Sequence, residues 1–192
     1  GLYEVLNEVF HKRHPNILFE SCSSGGNRFD LGMLCFSPQI WTSDNTDPIE
    51  RLDIQGGIYN FYPQSTVSAH VSMAPHAQTL RDTPIATRFN VAAFGVLGYE
   101  LDFSELTPEE RRQVKEQIAY YKEHRELLQY GNYYRIGDSL TEAKAGGWTV
   151  VSKDKSEAIA MLVQMDETID SHERKYFKRA GLNENALYTV TS

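Results

Sequence analysis

Two short segments built on one pattern constrain what this chain can fold into. Phe19-Glu20-Ser21-Cys22-Ser23-Ser24-Gly25-Gly26-Asn27-Arg28-Phe29-Asp30 follows the apolar run Ile17-Leu18-Phe19, and Trp41-Thr42-Ser43-Asp44-Asn45-Thr46-Asp47 closes a lead-in of Pro38-Gln39-Ile40. Each passes abruptly from apolar residues to a cluster of small polar and acidic ones. Neither run is long enough for a helix with a face, and neither alternates cleanly like a half-wet strand. A buried parallel strand that delivers polar side chains at its carboxyl end has this form. The glycines behind Cys22 let backbone approach a ligand where a Cβ would clash.

The rest of the chain to about residue 130 alternates helix and strand patterns. Leu2, Val5, Leu6, Val9 and Phe10 recur at helical spacing, with cations in the last turn before Pro15. Ile17 to Phe19 reads as the first strand, Phe29 to Met33 as a short helix or turn, and Pro38 to Trp41 as the second strand. Asp47 and Pro48 open a helix reaching roughly Tyr59. Thr66 to Val71 and Val96 to Leu101 are the third and fourth strands, with a helix over Thr87 to Phe94 between them. Thr107-Pro108-Glu109-Glu110 is a capping box with proline in the first turn, and Gly131 stops the helix it starts.

Beyond Gly131 the period drops to two. Tyr133–Ile136, Trp148–Ser152, Ala158–Val163 and Lys175–Lys178 read as strands, with Gly146-Gly147 and Lys153-Asp154-Lys155 as turns. The expected organisation is strand–helix repeats over 1–130 and a small antiparallel β domain over 131–192. Four strands separated by helices are half of an eight-stranded barrel or a whole small open sheet, and right-handed crossovers permit either.

Composition narrows the partners. A net charge of −7 over 192 residues argues against nucleic acid, whose phosphates need clustered Lys and Arg. No apolar run approaches the roughly 20 residues of a membrane span. Cys22 and Cys35 form no disulfide framework and point to a reducing compartment. The chain opens at Gly1 without Met, so the lack of an export signal there carries no weight.

Within Trp41–Asp47 a general acid/base or metal-binding pair of carboxylates competes with simple helix capping. Asp47 reads as the cap of the helix that Pro48 starts; Asp44, set between Ser43 and Asn45, is open between catalysis and ligand binding. Metal is the weaker option, because His70 and His76 belong to another loop. Cys22 reads as a nucleophile with His70 as its base, a phosphate nest, or a loop donating backbone N–H and S–H to neutral hydroxyls. Arg28 and Asp30 are expected to brace that loop with ion pairs. His11, His14, His124 and His172 take surface roles, and Tyr120 and Tyr121 packing roles.

At these two motifs the chain resembles the microbial α-galactosidases of glycoside hydrolase family 36. Glu20 to Asp30 matches the family's run with one exception, Asn27 for a third glycine, and Pro38 to Asp47 matches throughout. Ala69-His70-Val71-Ser72, Thr87-Arg88-Phe89-Asn90-Val91-Ala92, Gly98-Tyr99-Glu100-Leu101 and Tyr120-Tyr121-Lys122-Glu123-His124-Arg125 also resemble it. Gln55-Gly56-Gly57-Ile58-Tyr59 and Pro63-Gln64-Ser65-Thr66-Val67 depart from it, ahead of the third strand.

The resemblance implies an α/β fold: the C-terminal half of a catalytic (β/α)₈ TIM barrel, then a small antiparallel β domain. It implies a retaining hydrolase of terminal α-1,6-linked galactose in melibiose and raffinose-type sugars, cytoplasmic, homo-oligomeric with a tetramer as the family pattern, and needing no cofactor or metal. The family's acid/base falls on Asp44, its substrate-contacting cysteine on Cys22, and the glycine whose backbone faces the sugar on Gly25. Its nucleophile sits in a Lys-Trp-Asp run that these 192 residues do not contain, so the fragment alone is expected to be inactive. The alternatives are an α-N-acetylgalactosaminidase of the same chemistry, or a carbohydrate-binding or structural module without turnover.

Overall fold

The structure is a computed structural model that describes residues 1–22, 29–137, 145–165 and 180–191. It divides into two compact units, Gly1–Tyr121 and Lys122–Ser192.

The first unit begins with α1 (Leu2–Leu6), continued by a π-helical stretch over Asn7–Arg13. Strand β1 (Glu20–Ser21) follows, then α2 (Leu31–Leu34), β2 (Gln39–Ile40), α3 (Pro48–Ile58), β3 (Ser68–Ser72), α4 (Ile85–Ala92) and β4 (Val96–Glu100). The four strands are parallel. β1 pairs with β2, β3 pairs with β4, and a single parallel bridge from Ile40 to Val67 joins the two pairs. Among the described residues the array stays open, so the strands form an unclosed parallel sheet with a helix after each.

One expectation shifts here. The first strand lies on Glu20–Ser21 and not on Ile17–Phe19; Leu18 is 84% exposed. The register explains the displacement, because Glu20 stands opposite Gln39 and Ser21 opposite Ile40. Asp30 caps α2 through the Met33 amide at 2.8 Å; the ion pair expected to brace the glycine loop involves Arg28, which lies outside the described residues.

One face of the strands is apolar. Ile40, Val67, Ala69 and Val71 are buried almost completely. Ile40 joins Leu6 and Met33 in a cluster that Phe10, Phe19, Phe29, Leu34 and Phe36 cover. Burial at about 25 cal/mol per Å² of apolar surface is what holds such short strands together. Asp47 caps α3 as expected, accepting from the Ile49 amide at 2.8 Å and the Glu50 amide at 3.4 Å.

The long helix α5 (Pro108–Tyr130) opens with the expected capping box: the Thr107 hydroxyl accepts from the Glu110 amide, and the Glu110 carboxylate accepts from the Thr107 amide. Tyr121 is a packing residue with a polar tip. Its hydroxyl donates to the Gly95 carbonyl at 2.9 Å and accepts from the Leu97 amide at 3.2 Å.

In the second unit β5 (Asn132–Ile136), β6 (Ala145–Val151) and β7 (Ala158–Gln164) form an antiparallel sheet in that order. Trp148 and Val150 on β6 are fully buried. Gly146 and Gly147, expected in a turn, lie inside β6. A Cβ on Gly147 would stand 1.8 Å from the Met161 carbonyl oxygen, so glycine serves close strand approach here, not reversal. The turn after β6 matches the expectation: the Ser152 hydroxyl donates to Asp154, whose carboxylate also accepts from the Ser156 amide. Farther along, the Tyr188 hydroxyl donates to the Lys155 carbonyl at 2.7 Å. The strand expected over Lys175–Lys178 lies outside the described residues.

Candidate active site

The site grows from the second face of the parallel strands. Side chains alternate across a strand, and parallel partners in register share a face. Glu20 and Cys22 therefore point the same way as Gln39 and Trp41, as Ser68, His70 and Ser72, and as Gly98 and Glu100. Apart from Val96 opposite Ser68 and Gly98 opposite His70, this face carries polar side chains or the Trp41 indole. Sequence reading put polar residues only at the strand ends, because no single run here is long enough to display its alternation.

Glu20 gathers three strands. Its carboxylate accepts from the Gln39 side-chain amide, from Trp41 Nε1 at 3.0 Å and from the Ser68 hydroxyl at 2.8 Å. The edge of the Trp41 ring meets His70 with centroids 4.4 Å apart. On the far side His70 Nδ1 lies 3.2 Å from Glu100 Oε2. Gly98 makes room for this imidazole, since a Cβ there would come within 2.5 Å of the ring.

The segment after β2 is tied down at nearly every residue. The Trp41 amide donates to the Ser21 carbonyl at 2.9 Å. Asn45 donates its amide to the Ser43 hydroxyl, and Asp47 donates its amide to the Asn45 side chain. The Thr46 hydroxyl reaches both the Ser72 hydroxyl and His76 Nε2 at 3.0 Å. Asp47 is fully buried and, beyond its capping bonds, takes Arg81 at 2.6 Å and the Thr79 hydroxyl. Burial alone would raise its pKa; the bonds from Thr79, Arg81 and Ile49 outweigh that and hold the carboxyl below its ordinary value. Arg51, on α3, sits beneath this segment. Burial pushes its guanidinium down to about 10, which leaves it charged at neutral pH.

Asp44 stands out from this frame as the exposed residue between half-buried Ser43 and Asn45. Cys22 Sγ lies 3.7 Å from its Oδ1, a weak S–H contact that joins the two motifs across 22 residues of sequence. The contact gives Cys22 a carboxylate neighbour, and His70, weighed as its base, pairs with Glu100. Gly25 and Arg28 lie outside the described residues. Among the described residues no three His, Cys, Asp or Glu side chains converge as a metal site, and no helix is long and apolar enough to cross a membrane.

An exposed carboxyl on a constrained loop, at the carboxyl ends of parallel strands and beside a polar wall, can donate and accept a proton at a bound ligand. Of the residues that build the wall, Glu20 and Arg51 are not singled out by the sequence, and Glu100 stands there only as a fallback nucleophile beside Asp30 and Asp47. The one sequence signal for the wall is the alternation of Glu20 with Cys22 and of Gly98 with Glu100.

Comparison with known proteins shows what the chain as a whole is similar to. The family profile described as Melibiase matches residues 1–131. The chain is 44% identical over 190 residues to α-galactosidase AgaA of Geobacillus stearothermophilus, covering 99% of this chain and 26% of that protein. It is 45% identical over 188 residues to α-galactosidase 1 of Pediococcus pentosaceus, covering 98% of this chain and 25% of that one. A crystal structure of a variant of the G. stearothermophilus glycoside hydrolase family 36 enzyme AgaA in complex with raffinose superposes with a TM-score of 0.90 at 44% identity, covering 96% of this chain and 25% of that one. The chain thus spans about a quarter of the length of the relatives it matches.

Proposed function

The chain belongs to the melibiase family, within the α-galactosidases of glycoside hydrolase family 36, and from that premise we propose that the protein containing it is a retaining α-galactosidase acting on melibiose and raffinose-type sugars. These residues supply the second half of a (β/α)₈ barrel, over 1–130, and a C-terminal β domain over 131–192. The observation that carries the reading is the meeting of Cys22 and Asp44, one from each motif, at the carboxyl ends of adjacent parallel strands.

In this mechanism Asp44 enters protonated. It gives its proton to the glycosidic oxygen as a second carboxylate, supplied by chain outside these 192 residues, attacks the anomeric carbon from the opposite face. The C–O bond breaks and a galactosyl ester forms. Asp44, now a carboxylate, takes a proton from water, whose oxygen displaces the ester with a second inversion, so the α configuration is retained. The two carboxyl groups must stand about 5–5.5 Å apart for this route. Cys22 and the backbone of Gly25 contact the galactose. A pocket walled by these two leaves little room at C2, which favours galactose over its N-acetylamino analogue. The full protein works as a homo-oligomer without metal or cofactor, and the 192 residues alone lack turnover.

The test is kcat/KM of the full-length protein on paired nitrophenyl α-galactoside and α-N-acetylgalactosaminide, with the first-formed anomer from raffinose followed by NMR. The expected result is preference for the galactoside and initial release of α-galactose. Preference for the N-acetylamino sugar or release of β-galactose overturns the reading, as does the absence of turnover on either.

A further inference from the structure

The least expected side chain in the first unit is Arg51. It is 3% exposed, and none of the acceptors it reaches among the described residues is a carboxylate. Its Nε donates to the Gln55 side chain at 2.9 Å. Nη1 donates to the Thr42 hydroxyl at 2.9 Å and to the Ser43 carbonyl at 3.5 Å. Nη2 donates to the Ser68 carbonyl at 2.6 Å. The guanidinium carbon lies 5.6 Å from the centre of the Trp41 ring. A buried cation is costly to maintain without a carboxylate. What these contacts return is geometry: one planar fork reaches the segment before Asp44 on one side and strand β3 on the other.

The fork closes a circuit. Arg51 bonds the Ser68 carbonyl, the Ser68 hydroxyl bonds Glu20, Glu20 bonds Trp41 Nε1, and the Trp41 ring faces Arg51. The segment Trp41–Ser43 runs through this ring. Beyond Asp44 the chain is caught again by the Asn45, Thr46 and Asp47 contacts. Asp44 is therefore aimed by anchors on both sides of it, and the anchor immediately before it is Arg51.

We propose that Arg51 is the positioning residue for Asp44, holding the Thr42 hydroxyl and the Ser43 carbonyl against β3 so that the carboxyl meets the glycosidic oxygen at hydrogen-bond distance. The proposal rests on the reading of Asp44 as the acid/base. Arg51 touches no substrate; it acts through Thr42 and Ser43. Lysine cannot replace it, because an ammonium presents its donors from a single point and cannot span both sides of the segment. A displacement near 1 Å at a reacting group costs on the order of 100-fold in rate. A misplaced acid costs most where the leaving group most needs a proton.

The experiment uses the full-length enzyme with Arg51→Lys and Thr42→Val, assayed as kcat/KM on raffinose and on 4-nitrophenyl α-galactoside. For Arg51→Lys the expected loss is about 100-fold on raffinose and less than about tenfold on the nitrophenyl substrate, whose leaving group needs little protonation. Thr42→Val keeps the buried guanidinium and removes one of its acceptors, and should show the same inequality at about a tenth of the size. If Arg51→Lys does not fold, Thr42→Val decides by that inequality. Equal losses on both substrates, or a lysine variant as active as wild type, overturn the proposal and leave the α-galactosidase reading standing. A wild-type protein that turns over neither substrate removes that reading, and the proposal falls with it.

Discussion

The parallel strands of the first unit and the antiparallel sheet of the second use the same residue type for opposite ends. Gly98 on β4 admits the ring of His70, a side chain of the polar face. Gly147 on β6 admits the backbone carbonyl of Met161 on the neighbouring strand. In the first case the missing Cβ leaves space for a group that faces the site; in the second it lets two strands pair at all. The lesson is that the two units divide their labour at the level of single contacts. The first keeps a polar strand face, tied by side chains, ready for chemistry. The second buries β6 on both faces and is organised for packing.

The largest effect is expected from Gly147→Ala. A Cβ driven onto a carbonyl cannot be relieved by turning a side chain, so the strands must separate. The expected loss is at least about 3 kcal/mol, the upper end of overpacking costs, read as a fall in denaturation midpoint of the full-length protein. A shift too small to detect would mean that the β6–β7 pairing is not what stabilises the unit.

Asp47→Asn comes next and falls in the first unit, where structure supports the site. It keeps the cap's shape but loses the charge that Arg81 meets, and should cost about 1–3 kcal/mol at pH 7. The sign of its pH dependence follows from the depressed carboxyl of Asp47. A group held lower in the folded state stabilises above its unfolded pKa, and that contribution is lost as pH falls through the folded value. The gap between wild type and variant should therefore be full at neutral pH and shrink below about pH 4. A gap independent of pH from 7 to 3 would contradict the ion pair.

Gly98→Ala should change stability less than either of these. The His70 ring can swing aside, so the denaturation midpoint should barely move while kcat/KM on raffinose drops by about tenfold. A large loss of stability with activity per folded molecule unchanged would make Gly98 a second Gly147 and erase the distinction.

Much of this architecture was legible because its signals are local. Asp47 beside Pro48, and Thr107 three residues before Glu110, announce their helices through bonds spanning two or three residues. Asp44 and Cys22 stand out as candidates because each lies a few residues past an apolar run that turns abruptly polar. What sequence could not reveal is the wall behind them. Glu20 bonds Ser68, 48 positions away, and Arg51 bonds Ser68 from 17 positions away; neither distance leaves a periodic trace. The strands are also too short to declare themselves: β1 and β2 hold two residues each, so their place was inferred from apolar runs and set three residues early at Ile17–Phe19. Gly146-Gly147 misled for a related reason, since paired glycines mark a turn and a tight strand contact alike.

In the proposed mechanism Asp44 is the proton donor, presented by the contacts that fix Thr42 and Ser43 before it and Asn45 to Asp47 after it. The most direct measurement is kcat/KM of the full-length Asp44→Ala variant on raffinose and on 4-nitrophenyl α-galactoside, both reporting formation of the galactosyl ester. The expected loss is about 10³-fold on raffinose, within the range of lost general-acid catalysis, against less than about tenfold on the nitrophenyl substrate, with the denaturation midpoint unchanged. Equal losses on the two substrates would contradict it.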